Sequence, residues 1–347
     1  MGKRLTHASF ATLAIGSLLV GATSGAAVHA RSLAANKVLK IGIATPAKAN
    51  DYGWNQQGVQ AAKAAGASVG ATVTVADGIG YDNVEPVLRQ LATGGANFII
   101  AQASGYNTLA PRVAAQFKVP VITYDSPKDL KQGLVSDIET SSQQGAYLAG
   151  VLAAKTTKTG TLGIVLSAAD TNWFKQTGGF ATGARSVNPH IKFLFAEIGQ
   201  AAYDDAAGGK RVAQSVISGG ADVVFGMGDG ASFGYLQAVE TASVGHKVWF
   251  IDVIGDKTPI DKKHVLLSSV LWDFTPIFKQ AIADINAGTY GTHFYNLDAA
   301  HGISLLKTPY IPAPVWTLIQ ADSKAIAAGT IKIPLTATEA AAKASLK

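Results

Sequence analysis

A chain of 347 residues that is 48% hydrophobic and 15% charged has ample material for a large buried core, and its length suggests two domains or lobes. The formal net charge of +6 is scattered as ordinary surface charge. No basic run is interleaved with aromatic residues, which argues against a nucleic-acid groove, and the absence of cysteine excludes both disulfides and a lipid-bearing lipoprotein cysteine.

Read from the start, Lys3 and Arg4 form a short positive region, Ala11 to Ala22 an apolar one, and Ala27 to Ala30 a run of small residues suited to cleavage. Residues 1–30 therefore read as an export signal. The apolar stretch is short for a membrane span and is diluted by Gly, Ser and Thr. The expected product is an exported, soluble protein, periplasmic or extracellular. From Val38 onward, apolar β-branched runs alternate with Ala-rich stretches of helical spacing. "VLKIGIA", "ATVTVA", "NFIIAQA" and "PVITYD" read as strands, and their near-continuous apolar character predicts a parallel sheet covered on both faces. After the helical segment Ser141 to Thr157 a second series begins, with strands "TLGIVLS", "IKFLFAEI", "DVVFGMG", "KVWFIDVI" and "HVLLSSVLWD". No Pro- or Ser-rich linker divides the two series, so several crossings rather than one tether are expected between them. The segment 336–347 reads as a low-complexity helical tail lying at the periphery.

In open α/β sheets, ligands bind beyond the carboxyl ends of the strands. Those ends carry Asp51 with Trp54, Ser104 with Gly105, and Asp125. The second series adds Tyr203 with Asp205, Asp229, Asp256, and Trp272 with Asp273. Asp and Gly are ordinary turn residues, but a turn gains nothing from an indole. Flat rings beside hydrogen-bond acceptors suit a planar ligand bearing N–H groups, whereas an anionic ligand would call for Arg or a phosphate cradle.

Enzyme motifs are sparse. "GASFG", Gly230 to Gly234, matches a G-x-S-x-G nucleophile elbow between a strand and a helix, with Asp252, Asp256 or Asp273 and then His293 or His301 following in hydrolase order. Such a match arises readily by chance in a chain with 37 glycines, and no oxyanion segment accompanies it. Neither "DGIGYDN" nor "GMGDG" is a phosphate-binding loop. The seven His have no paired spacing, and no metal or cofactor is expected.

At "ETSSQQGAYLAGVLA", "TKTGTLG" and "GARSVNP", preceded by "DYGWN", the chain resembles the basic membrane protein, or PnrA-like, family of ABC-transporter substrate-binding proteins. The similarity runs from about Val38 to about Gly288. It implies a type I periplasmic-binding-protein fold: α/β, with two doubly wound parallel-sheet lobes joined by a hinge. The implied lobes are 37–126 with 254–288, and 127–253 with 289–335. The resemblance further implies a non-enzymatic, monomeric receptor that closes on a purine base or nucleoside and delivers it to a membrane ABC permease. It places Trp54 on the base, with Asp51 and Asn55 beside it, and matches Tyr203, Asp125 and Asp256 to family positions. Two departures bear on the ligand. Trp272 stands where nucleoside-binding members have a Lys, and "DYGW" resembles a free-base subgroup. The alternatives are a sugar receptor of the same fold and, from the elbow motif, a serine hydrolase using Ser232.

Overall fold

Two six-stranded sheets, each sheathed by helices, organise the chain in a computed structural model that describes residues 37–242 and 245–347. The expected export signal, 1–30, lies outside the described residues. The first series runs β1 (Lys40–Thr45), α1 (Trp54–Val69), β2 (Thr72–Asp77), α2 (Val84–Thr93) and β3 (Phe98–Ala101). It continues with α3 (Ala110–Phe117), β4 (Val121–Tyr124) and β5 (Val135–Thr140). After α4 (Ser142–Thr156) come β6 (Thr161–Leu166), α5 (Thr171–Val187), β7 (Lys192–Glu197) and α6 (Ala206–Ser218). Then follow β8 (Val223–Met227), α7 (Ala231–Glu240), β9 (Trp249–Ile254), β10 (Leu266–Trp272) and α8 (Thr275–Ala287). The chain ends with β11 (Tyr295–Leu297), β12 (Ile303–Leu305), α9 (Ala313–Ala327) and α10 (Glu339–Ala344).

The sheet orders are β11-β5-β4-β3-β1-β2 and β12-β10-β9-β8-β6-β7. All pairings are parallel except β10 with β12. Strand position explains strand composition. The inner strands β3, β4 and β8 are buried at every residue, while the edge strands β2 and β7 are half-covered and mix apolar with polar residues. In each sheet the order reverses beside the first strand of the series, between β1 and β3 and between β6 and β8. Loops leaving strands at such a reversal diverge and open a crevice.

Sheet membership divides the chain differently from the boundaries expected at 126/127, 253/254 and 288/289. β5 completes the first sheet, β10 lies in the second, and β11 returns to the first before β12 rejoins the second. Three connections therefore pass between the sheets: β5 to α4, β10 to α8, and β11 to β12. β5 escaped sequence reading because its core carries Ser136, Asp137 and Glu139. Asp137 is fully buried and accepts hydrogen bonds from the Thr123 hydroxyl at 2.7 Å and the Ser126 N–H at 3.0 Å, which is how a polar strand is tolerated there.

Among the described residues, α4 and α5 form the most extensive helix–helix contact. α4 is buried on nearly every face, as a helix apolar all round must be. A Cβ added at Gly150 would overlap the Phe180 carbonyl oxygen, and one at Gly183 would overlap that of Tyr147. Glycine on both helices lets the backbones touch, which accounts for "YLAGVLA" facing "GGFATGA". The terminal helix α10 docks on α5. Arg185 hydrogen-bonds the carbonyls of Ser345, Leu346 and Lys347, Ala342 is fully buried, and the Thr336 hydroxyl donates to the Phe174 carbonyl at 2.7 Å.

Candidate functional site

Loops from both reversal points converge on one cavity of about 850 Å³. The β1–α1 loop is its best-braced wall. Asp51 accepts hydrogen bonds from the N–H groups of Gly53 (3.0 Å), Asn55 (3.1 Å) and Gln56 (3.0 Å) and from the Asn55 side-chain amide (2.7 Å). A buried carboxylate thus satisfies the free donors at the start of α1 and complements its dipole. Tyr52 takes a left-handed φ of 52° to make the turn. Trp54 opens the helix half-buried, its indole N–H donating to the Gln102 carbonyl at 2.7 Å. Its ring meets those of Tyr124, Phe274 and Trp272 edge to face, at 4.9, 5.3 and 6.1 Å between centroids.

Ser104, Gly105 and Asp125 supply the adjoining wall from the ends of β3 and β4. Asp125 sits at φ 57°, and Ile254, also at the cavity, at φ 71°. Left-handed backbone is costly for both residue types, most of all for β-branched Ile, and such strain gathers at binding sites. The Ser104 hydroxyl donates to Asp125 at 3.0 Å. Desolvation by the cleft walls raises the Asp125 carboxyl above its ordinary range, and the nearby Lys175 opposes that rise.

The second sheet contributes the facing wall. Asp170 caps α5, accepting from the N–H of Asn172 at 2.7 Å, and also accepts the Tyr203 hydroxyl at 3.0 Å. Burial raises the Tyr203 phenol, and the Asp170 carboxylate adds to it, so it stays a neutral donor. Asp204 accepts the Gly230 N–H at 2.9 Å. Asp229 reaches the other wall, 3.4 Å from the backbone N–H of Trp54. Desolvation drives its carboxyl well upward, followed by the negative charges of Asp51 and Asp204. Asn172 bridges back to Asp125 at 3.4 Å. Two buried polar atoms at the cavity lack partners: the Trp272 indole N–H and the Asn172 side-chain oxygen.

Of the residues named from sequence, Trp54, Asn55, Ser104, Gly105, Asp125, Tyr203, Asp205, Asp229 and Trp272 line this cavity together. Asp51, Asp256 and Asp273 do not. Asp51 lies behind Trp54 as the helix cap. Asp256 accepts the Thr258 N–H and Asp273 the Thr275 N–H, each at 2.8 Å, as turn and helix-start residues. Sequence reading passed over Tyr81, Asp170, Asn172, Trp173 and Asp204, all of which line the cavity. A signal for two of them existed. "DTNW", Asp170 to Trp173, repeats the D-x-x-W of "DYGW" at the equivalent place after the first strand of the second series.

The elbow motif has a different setting. Ser232 is fully buried, and its hydroxyl, with one proton to donate, lies within hydrogen-bond distance of the Gly228 carbonyl (2.9 Å) and Asp252 (2.8 Å). His293 and His301 are exposed and contact Asp284 and Asp298 instead. Asp252 pairs with the buried Lys257, whose amine also donates to the Tyr52 carbonyl at 3.0 Å.

The family model for the PnrA-like ABC transporter substrate-binding proteins matches residues 38–311. The chain belongs to this family. Among PnrA-like and related proteins, it is similar to the nucleoside-binding protein BmpA of Lactococcus lactis, 30% identical over 76% of each chain. A purine-binding protein of Brucella abortus is 27% identical over 59% of this chain and 57% of its own. An ABC-transporter solute-binding protein from Conexibacter woesei superposes with a TM-score of 0.74 over 86% of this chain and 99% of its own, at 23% identity. That likeness concerns the fold, which is the two-lobed α/β fold of periplasmic solute-binding proteins, as the PnrA-like motifs implied. No helix among the described residues is long and apolar enough to cross a membrane.

Proposed function

We propose that the protein is the exported receptor of an ABC importer, taking a purine base or nucleoside-like ligand between its two sheets and presenting it to a membrane permease. The observation that carries this reading is the convergence of Trp54, Trp272 and Tyr203 with several carboxylates in one cavity between the carboxyl ends of both sheets. Rings offer stacking faces to a planar base, and carboxylates accept its N–H groups. The names of the Lactococcus and Brucella relatives point to the same ligand class. Trp272 in place of a Lys favours a base over a ribose-bearing ligand, because an indole offers one donor and bulk where an ammonium offers three donors. In this reading the protein acts by binding: Ser232 is buried against the Gly228 carbonyl and Asp252, and His293 and His301, the histidines in hydrolase order, contact Asp284 and Asp298 instead.

A thermal-shift screen of nucleobases, nucleosides and sugars tests the reading, because a ligand held only by the native state raises Tm by mass action. Purines are expected to raise it and sugars to leave it unchanged. Stabilisation by a pyranose with no response to any purine would replace this ligand class with a sugar.

A further inference from the structure

The cavity is lined by five aspartates, Asp125, Asp170, Asp204, Asp205 and Asp229, and by no Lys, Arg or His among the described residues. Cations stand only behind this surface. Arg211 approaches Asp205 at 3.9 Å from the exposed side. Lys175 is buried behind Asp125 with its amine on the Thr140 carbonyl. Lys257 is committed to Asp252. The aspartates differ in how well they are held. Asp170, Asp204 and Asp205 each accept a backbone N–H at 2.7 to 2.9 Å, and Asp125 has Ser104 and Lys175. Asp229 accepts one hydrogen bond among the described residues, the 3.4 Å contact from the Trp54 backbone N–H, with the charge of Lys257 acting on it from behind.

Excluding water from such a cavity requires positive charge to enter it, because a buried carboxylate without a partner is very costly. The charge arrives either as protons on the aspartates or on the ligand itself. The rest of the lining suits the second route. Trp54, Tyr81, Trp173, Tyr203 and Trp272 surround the acids, and aromatic faces attract cations through their quadrupole. Two polar atoms buried within lining side chains, the Asn172 oxygen and the Trp272 N–H, also have no hydrogen-bond partner among the described residues. We propose that the cavity selects a flat heteroaromatic cation, such as an N-alkylated purinium, with Asp229 as its counter-charge. This rests on the reading of the cavity as a purine-type site and narrows it to the charged members of that class.

Calorimetric titration with matched pairs tests it: guanosine against 7-methylguanosine, and adenosine against 1-methyladenosine, at a pH where each methylated ring is a cation. 1-Methylnicotinamide serves as a flat cation that is not a purine. In the wild type each methylated cation is expected to bind about tenfold or more tightly than its neutral parent. In Asp229→Asn, which keeps an acceptor oxygen for the Trp54 N–H, that ratio should collapse towards one. Equal affinity within both pairs would overturn the inference and leave the purine reading standing. A preference that persists undiminished in Asp229→Asn would overturn the assignment of the counter-charge. Binding of 1-methylnicotinamide without any purine would support the cation selectivity and remove the purine reading. Binding of none of the five compounds would overturn the cation inference, and the purine reading with it once guanine and adenine also fail to bind.

Discussion

Trp54 shows how one side chain serves two purposes. Its N–H is spent on the Gln102 carbonyl and one flank packs on Tyr124 and Phe274, while the remainder borders the cavity. Trp54→Ala is therefore expected to cost about 2–3 kcal/mol of stability, less than the roughly 3–5 of a fully buried ring. Ligand affinity should fall by about 1–3 kcal/mol, the range of base–aromatic stacking. Urea denaturation and calorimetry on the same preparation separate the two effects; unchanged affinity would make Trp54 a packing residue only. Asp51 should behave in the opposite sense. It holds four donors at the start of α1 and does not reach the cavity, so Asp51→Ala is expected to lose about 2 kcal/mol of stability. Its folded fraction should keep the affinity that Trp54→Ala loses. A normal urea melt with binding as weak as that of Trp54→Ala would place the Asp51 carboxylate on the ligand instead. Sequence reading found Trp54 because an indole has no use in a turn. It could not separate Asp51 from Asp125 or Asp229, because an aspartate that caps a helix and one that faces a cavity look alike in a loop.

Among the elements, the α4–α5 contact and strand β5 carry the sharpest expectations. Gly183→Ala forces a Cβ into the Tyr147 carbonyl, and since both partners are backbone, the helices must separate. A loss of about 2–3 kcal/mol is expected from urea melts; a neutral result would mean the interface yields at no cost. Asp137 on β5 has its carboxyl pushed up to about 7 by burial, against the hydrogen bonds of Thr123 and Ser126. The sign follows from proton binding. Between the unfolded value of 3.8 and about 7 the folded state binds more protons than the unfolded one, so this group's contribution to stability falls as pH rises through that window. Asp137→Asn cannot titrate. Relative to wild type it should gain about 1–3 kcal/mol between pH 4 and pH 7, a figure kept below the full linkage value because the native site relaxes. A stability difference that stays flat across those pH values would show that Asp137 ionises in place without penalty.

At the scale of the whole molecule, the C-terminal segment is part of the second lobe rather than an appendage. Arg185 reaches three carbonyls of the last three residues, Lys343 lies over the Phe195 ring, and Thr336 anchors the approach. Deleting 337–347 should lower Tm by about 4 °C. The same deletion should leave ligand affinity unaltered, because no residue of that segment lines the cavity. An unchanged Tm would show that this docking carries no weight. The expectation of a peripheral tail came from its Ala-rich composition, which does not reveal that Arg185, more than 150 positions earlier, waits for its carbonyls.

The sequence by itself determined the local grammar: alternating strands and helices, parallel sheets from uninterrupted apolar runs, and family membership from the order of its motifs. These follow from periodicity and short-range spacing, which a linear chain displays directly. Tertiary structure alone decided which strands share a sheet, because β5 and β11 pair through backbone hydrogen bonds that every residue type but proline can make. It also decided which aspartates face one another. Asp125, Asp170, Asp204 and Asp229 meet around one space only when two reversal points are brought together, and the charge they concentrate there belongs to none of the four loops taken singly.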